Sequence, residues 1–280
     1  MNKWKESELV RSLVGFFLLF LLFIGLFIFV VPSTHQSSKI AEKIKSIKNE
    51  KVTYVAIGDS LTQGVGDSSN QGGFVPVLSQ ALESDFDWQV TSRNYGIAGN
   101  TSNQILKRVQ EKKDIQRDLK KAKVMTLTVG GNDVIHVIKD NITNLNVDTF
   151  TKPAQAYQKR LGQIIELARK DNKTLPIYIV GIYNPFYLNF PELTVMQNVI
   201  DSWNTATAGV VSQEKNTYFI PINDLLYKGS GDKQAVESGS TSDAVSNNLL
   251  YTEDHFHPNN VGYQLMADAV FASYKEVNQK

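Results

Sequence analysis

The pattern of apolar and polar positions divides the chain into two unlike parts. From Ser12 to Val31 there is no charged residue, and Leu, Phe, Ile and Val fill almost every position. Twenty such residues at 1.5 Å rise span about 30 Å, the hydrocarbon thickness of a bilayer. A secretory leader has a shorter apolar core, about 7–15 residues, and then a small-x-small cleavage site. Val31-Pro32-Ser33 does not fit that site, so the run reads as an uncleaved anchor over residues 13–31. Lys3, Lys5 and Arg11 precede it, which places residues 1–12 in the cytoplasm and the rest outside, although four lysines also follow the span. Residues 32–50 are polar and Lys-rich, with Ile40, Ile44 and Ile47 at helical spacing, and read as a stalk.

Beyond residue 50 the periodicity alternates between strand and helix. Strands are predicted at 53–57, 89–95, 124–129, 176–180 and 217–220. Helices are predicted at 74–82, from 102 to 108 with a run-on towards 123, and at 152–171, 195–213 and 261–277. Residues 141–151, 184–192 and 229–248 carry neither period. Strands alternating with helices imply a parallel sheet covered on both faces, an α/β/α sandwich. Residues 51–280 suit one such domain, with no linker composition inside it.

Composition narrows the picture by exclusion. There is no cysteine, so disulfides and thiolate metal sites are unavailable. A formal net charge of +1 gives no electrostatic support for nucleic-acid binding. The basic stretch 107–123, eight basic against three acidic residues, reads as a solvated helix face, with anionic wall polymer or lipid headgroups as the minor alternative. No Gly-Lys-Ser/Thr follows the glycines at 58–66, which excludes a phosphate loop, and no Gly-x-Ser-x-Gly occurs.

Four segments carry the candidate chemistry, three of them directly after a predicted strand. They are Gly58-Asp59-Ser60-Leu61, the run 94–100 ending in Ala98-Gly99-Asn100, Gly130-Gly131-Asn132-Asp133, and Asp254-His255-Phe256-His257-Pro258. Strand ends of a parallel sheet share one edge, so these segments can converge. A serine nucleophile needs a base, and the base needs an orienting acceptor. Ser60 on a strand-to-helix turn, His257 as base and Asp254 three residues before it supply that set. The Ser60 N–H, the Gly99 N–H and the Asn132 side-chain amide are the available oxyanion donors. The plainer readings are a helix cap for Ser60 or Asn132 and a turn glycine for Gly99. Asp59 and Asp133 read as structural, holding loops by local hydrogen bonds. Two histidines and one carboxylate are a thin metal set, and His255 stands too close to Asp254 to be oriented by it.

Taken together, these segments resemble the GDSL-type lipolytic enzymes, or SGNH hydrolases. Gly58-Asp59-Ser60-Leu61 looks like that family's first block, Gly99 fits the second, Asn132 the third, and Asp254 with His257 the Asp-x-x-His of the last. The blocks stand in family order over residues 51–275. Gly181-Ile182-Tyr183-Asn184-Pro185-Phe186 also resembles membrane-anchored members from Gram-positive bacteria. The resemblance implies a flavodoxin-like three-layer sandwich with a five-stranded parallel sheet. It implies a serine esterase or lipase with no cofactor and no metal, acting on a small ester, a lipid or an acylated carbohydrate. Rival expectations are an O-acyltransferase on cell-wall carbohydrate using the same residues, and a catalytically silent surface-binding protein. The apolar cluster Phe186, Tyr187, Leu188 and Phe190 favours an acyl chain, or else anchors its own loop.

Overall fold

The computed structural model describes residues 50–141, 143, 146–188, 190, 194–229 and 247–278. The anchor and stalk expected at 13–50 lie outside these residues, apart from Glu50. No helix among the described residues is long and apolar enough to cross a membrane.

The five predicted strands are present as β1 (Glu50–Gly58), β2 (Trp88–Gly96), β3 (Ala122–Thr128), β4 (Ile177–Val180) and β5 (Thr217–Ile220). They form one parallel sheet in the order β2-β1-β3-β4-β5. Its two faces follow from the alternation of side chains along each strand. Val55 and Ile57 of β1 point to one side with Met125, Leu127, Ile177 and Ile179. Tyr54 and Ala56 point to the other with Val124, Tyr178 and Val180.

The first face is covered by α3 (Ser102–Glu111), α4 (Lys113–Lys121), α5 (Gly131–Asp140), α6 (Thr151–Ala168) and α7 (Thr194–Val211). The second is covered by α2 (Phe74–Phe86), α8 (Asn223–Leu226) and α9 (Asn260–Asn278). The result is the three-layer α/β/α sandwich that the periodicity predicts. The chain first winds outward from β1 to β2, then returns to place β3 on the other side of β1. In such a sheet the reversal leaves a crevice at the carboxyl ends of the two strands. β1 ends at Gly58 and β3 at Thr128, so the segments carrying Ser60 and Asn132 emerge at that point.

Two local differences have simple causes. The helix expected to run on from 102 breaks at Lys112, whose extended backbone separates α3 from α4. The stretch 107–123 is not a uniformly solvated face either. Val109, Ile115 and Leu119 are buried, and Arg108 turns inward. The short α8, and a 3-10 turn at Val147–Phe150, escaped the sequence pattern because four residues carry too little periodicity.

Candidate active site

At the end of β1 the chain passes from strand to helix within one residue. Asp59 caps the four-residue helix α1 (Ser60–Gln63), its Oδ1 accepting from the Leu61 N–H at 3.0 Å. The same Oδ1 accepts from the Thr128 hydroxyl at 2.7 Å, which ties this turn to the end of β3. Gly58 is required by contact, since a Cβ there would stand 2.2 Å from Thr128 Oγ1. Burial pushes the Asp59 carboxyl upward, while Thr128, the two neighbouring N–H groups and the His257 charge pull it back. Ser60 is 7% exposed. As the first residue of α1 its N–H has no intrahelical partner.

After β2, the turn 97–100 is closed by the Asn100 N–H donating to the Ile97 carbonyl at 3.2 Å. Gly99 occupies its third position with φ +78, a conformation costly for residues with a Cβ. The turn is pinned from below, the Ala98 N–H donating to Gln63 Oε1 at 2.6 Å. After β3, Asn132 stands in the first turn of α5 and donates from Nδ2 to the Asn100 carbonyl at 3.0 Å. An amide nitrogen carries two hydrogens, so one remains. Asp133 locks the two segments together, accepting from the N–H and hydroxyl of Ser102 and from Arg160 at 3.1 Å.

The fourth segment is held by Asp254. Its Oδ2 meets His257 Nδ1 at 2.6 Å, and its Oδ1 accepts from the backbone N–H groups of Phe256 and His257. Burial pushes the Asp254 carboxyl up, but these bonds outweigh it and leave it below the usual carboxylate value. His255 takes φ +51, a left-handed turn position between Asp254 and His257. The Tyr183 hydroxyl holds the loop from β4, donating to the Phe256 carbonyl at 2.5 Å.

Ser60 and Asn132 line one cleft of about 440 Å³, open to solvent, together with Val129, Ile135, Ile182 and Phe256. The Phe256 ring lies 5.0 Å from the His257 ring, edge to face. Gly99 is exposed and is not part of this lining. Of the apolar cluster at 186–190, Phe186 and Phe190 are exposed, and the Phe186 ring lies tilted against Phe256 with centroids 6.1 Å apart. Among the described residues no three carboxylate or imidazole groups converge as a metal site.

Two organising residues were not singled out in the sequence. Arg108 donates to the Tyr95 and Gly58 carbonyls, both at 2.8 Å, and so clamps the ends of β2 and β1. Asp67 is the hub of the loop after α1. It accepts from the N–H groups of Ser69, Gln71, Gly72 and Gly73, from the Ser69 hydroxyl, and from the Asn260 amide. Its signal was an aspartate amid glycines and serines with no helix to cap. Burial pushes its carboxyl up, but the Ser69 hydroxyl and these N–H groups prevail and hold it at about 2. A carboxylate depressed below its unfolded value of 3.8 adds stability above that pH, and the contribution fades as pH falls towards 2. Urea midpoints measured between pH 6 and pH 2.5 are therefore expected to fall less steeply in Asp67→Asn than in the parent, from a starting stability lower by about 1–3 kcal/mol. Parallel curves would contradict this role.

At the strand-order reversal the fold presents a serine turn, a glycine turn and an asparagine, with an Asp–His pair in the loop whose Phe256 lines the same cleft as Ser60. The GDSL-like Lipase/Acylhydrolase family profile matches residues 56–265, and the chain belongs to that family and is a carboxylic ester hydrolase. It is 31% identical over 246 residues to an uncharacterised protein, YpmR, of Bacillus subtilis, covering 87% of this chain and 90% of that one. It is 26% identical over 225 residues to the spore germination lipase LipC of Bacillus licheniformis, covering 79% of this chain and 95% of LipC. Among solved structures, a lipase from a goat rumen metagenome superposes with a TM-score of 0.65 at 23% identity, over 79% of this chain and 97% of that one.

Proposed function

We propose that the chain hydrolyses carboxylic esters through an acyl-enzyme on Ser60, with His257 as general base and Asp254 as its orienting partner. The observation that carries this reading is the 2.6 Å bond between His257 Nδ1 and Asp254 Oδ2. It occurs in a loop whose Phe256 lines the same cleft as Ser60 and Asn132. The bond assigns the proton to Nδ1 and leaves Nε2 as the acceptor.

In the reaction, Nε2 takes the Ser60 hydroxyl proton as Oγ attacks the ester carbonyl carbon. The Ser60 N–H, the Gly99 N–H and the free Asn132 amide hydrogen receive the oxyanion. The tetrahedral adduct collapses, the imidazolium gives its proton to the departing alkoxide, and water repeats the sequence on the acyl-enzyme. Ser60 Oγ makes no hydrogen bond to His257 in this structure, and such bonds commonly tighten only around substrate. Val129, Ile135, Ile182 and Phe256 give the cleft an apolar wall for the acyl group. The uncharged run at 13–31 supports an anchored protein with this domain outside the membrane.

A series of p-nitrophenyl esters from acetate to palmitate tests the reading on the full chain. Turnover is expected, with kcat/KM rising by about threefold to fourfold per added methylene until the cleft is filled. Absence of turnover on every ester would contradict it.

A further inference from the structure

Asp254 and His257 stand on a segment with no regular structure of its own. Residues 247–259 form neither helix nor strand, and an isolated bridge joins Leu250 to Pro258. A general base has to be held within about 0.5 Å of its productive position. The hydrogen bonds inside this segment do not supply that hold, because they are short-range. Asp254 accepts from the N–H groups of Phe256 and His257, and Tyr251 shares backbone bonds with His255 and His257. They shape the turn without fixing it to the sheet.

Tyr183 supplies that tie. Its hydroxyl reaches across 73 residues of sequence to the Phe256 carbonyl, at 2.5 Å. This carbonyl and the His257 N–H belong to one planar peptide unit. Tyr183 holds the unit by its oxygen, and Asp254 Oδ1 holds it by its nitrogen at 3.0 Å. The plane that carries the His257 side chain is thereby fixed on both sides.

The tyrosine is itself anchored just beyond β4. Asn204 of α7 donates to the Ile182 carbonyl at 2.8 Å and accepts from the Ile182 N–H at 2.9 Å. Asn223 of α8 accepts from the Asn184 N–H at 3.0 Å, so the backbone is bonded on either side of Tyr183. The ring is buried in the core of the second sheet face. Burial pushes its phenol well up, which keeps the hydroxyl a donor. Its one hydrogen is committed to Phe256, and none is left for a substrate oxygen.

Resting on the Ser60–His257 reading above, we propose that Tyr183 is a positioning residue, whose hydroxyl ties the Asp254–His257 pair to the end of β4 and holds the imidazole in line with Ser60. The test measures kcat and KM on p-nitrophenyl butyrate for the full chain, Tyr183→Phe, His257→Ala and the double variant. Each is assayed well below its thermal midpoint. Phenylalanine keeps the ring in the cleft wall and removes the hydroxyl alone.

Tyr183→Phe is expected to lower kcat by about 10–100-fold, the upper figure being the cost of a misplacement near 1 Å. KM is expected to stay within about twofold, because the bond acts on the base and not on bound substrate. In the His257→Ala background the same change is expected to do nothing further, since no imidazole is left to position. A structural role would instead lower both backgrounds alike. That result, a kcat in Tyr183→Phe within about twofold of the parent, or a raised KM at constant kcat overturns the proposal. In each case a large loss in His257→Ala alone leaves the Ser60–His257 reading standing. A parent-like kcat in His257→Ala removes both.

Discussion

Ser60→Ala is expected to lower kcat for ester hydrolysis by about 10⁵-fold while the protein stays folded. The loss is large because the proposed acyl-enzyme forms at this hydroxyl and both of its half-reactions depend on it. The fold survives because the Ser60 side chain makes no hydrogen bond within the protein. The turn is held instead by Asp59, through the Leu61 N–H and the Thr128 hydroxyl. His257→Ala is expected to cost a similar factor, and the double variant scarcely more than either single one, since a nucleophile without its base is already disabled. Steady-state rates with thermal midpoints read both halves of the prediction. Additive losses would mean that the two side chains act separately.

Arg108→Met carries the second large effect. The guanidinium spans the carboxyl ends of β1 and β2 by bonding the Gly58 and Tyr95 carbonyls. Burial lowers its pKa and the Asp59 charge partly restores it, so the group remains a cation beneath the Ser60 turn. Gly58 leads to Ser60 and Tyr95 leads to Gly99, so the clamp sets the spacing of two proposed oxyanion donors. Methionine keeps the volume but removes both bonds and the charge. A stability loss of about 2–4 kcal/mol is expected. Alongside it kcat should fall by about 10–100-fold, because a donor displaced from the oxyanion costs far more in the transition state than in substrate binding. Arg108→Lys should recover part of both. A variant that loses stability but keeps kcat would confine Arg108 to a structural role.

Much of this architecture was legible in the sequence because it depends on local pattern. Strands such as Thr53-Tyr54-Val55-Ala56-Ile57 announce themselves by apolar runs stopped at glycine, and helix α6 by its buried stripe of Leu161, Ile164 and Ile165. The four candidate segments stand out for the same reason, as each is a short run at a strand or helix end. The supports of the site were not visible, because they are pairings at long range. Thr128 lies 69 residues from Asp59, Arg108 lies 50 from Gly58, and Asn260 lies 193 from Asp67. A partial signal existed in β3, where Thr126 and Thr128 interrupt an apolar strand. Buried hydroxyls need partners, and Tyr54 and Asp59 supply them. Asp133 was expected to hold its own loop, but it joins α5 to the start of α3 and to Arg160 on α6. Charge alone misread Arg108, whose neighbours Lys107 and Lys112 are solvent-facing.

The most direct test of the account is covalent trapping at the nucleophile. The full chain is incubated with a p-nitrophenyl alkylphosphonate, which a serine attacks as it would an ester carbonyl but cannot release. Peptide mapping by mass spectrometry then locates the adduct. One phosphonyl group on Ser60, formed rapidly by the parent and at least about 100-fold more slowly by His257→Ala, is the predicted result. An adduct on another residue, or labelling of Ser60 at the same rate without His257, would contradict it.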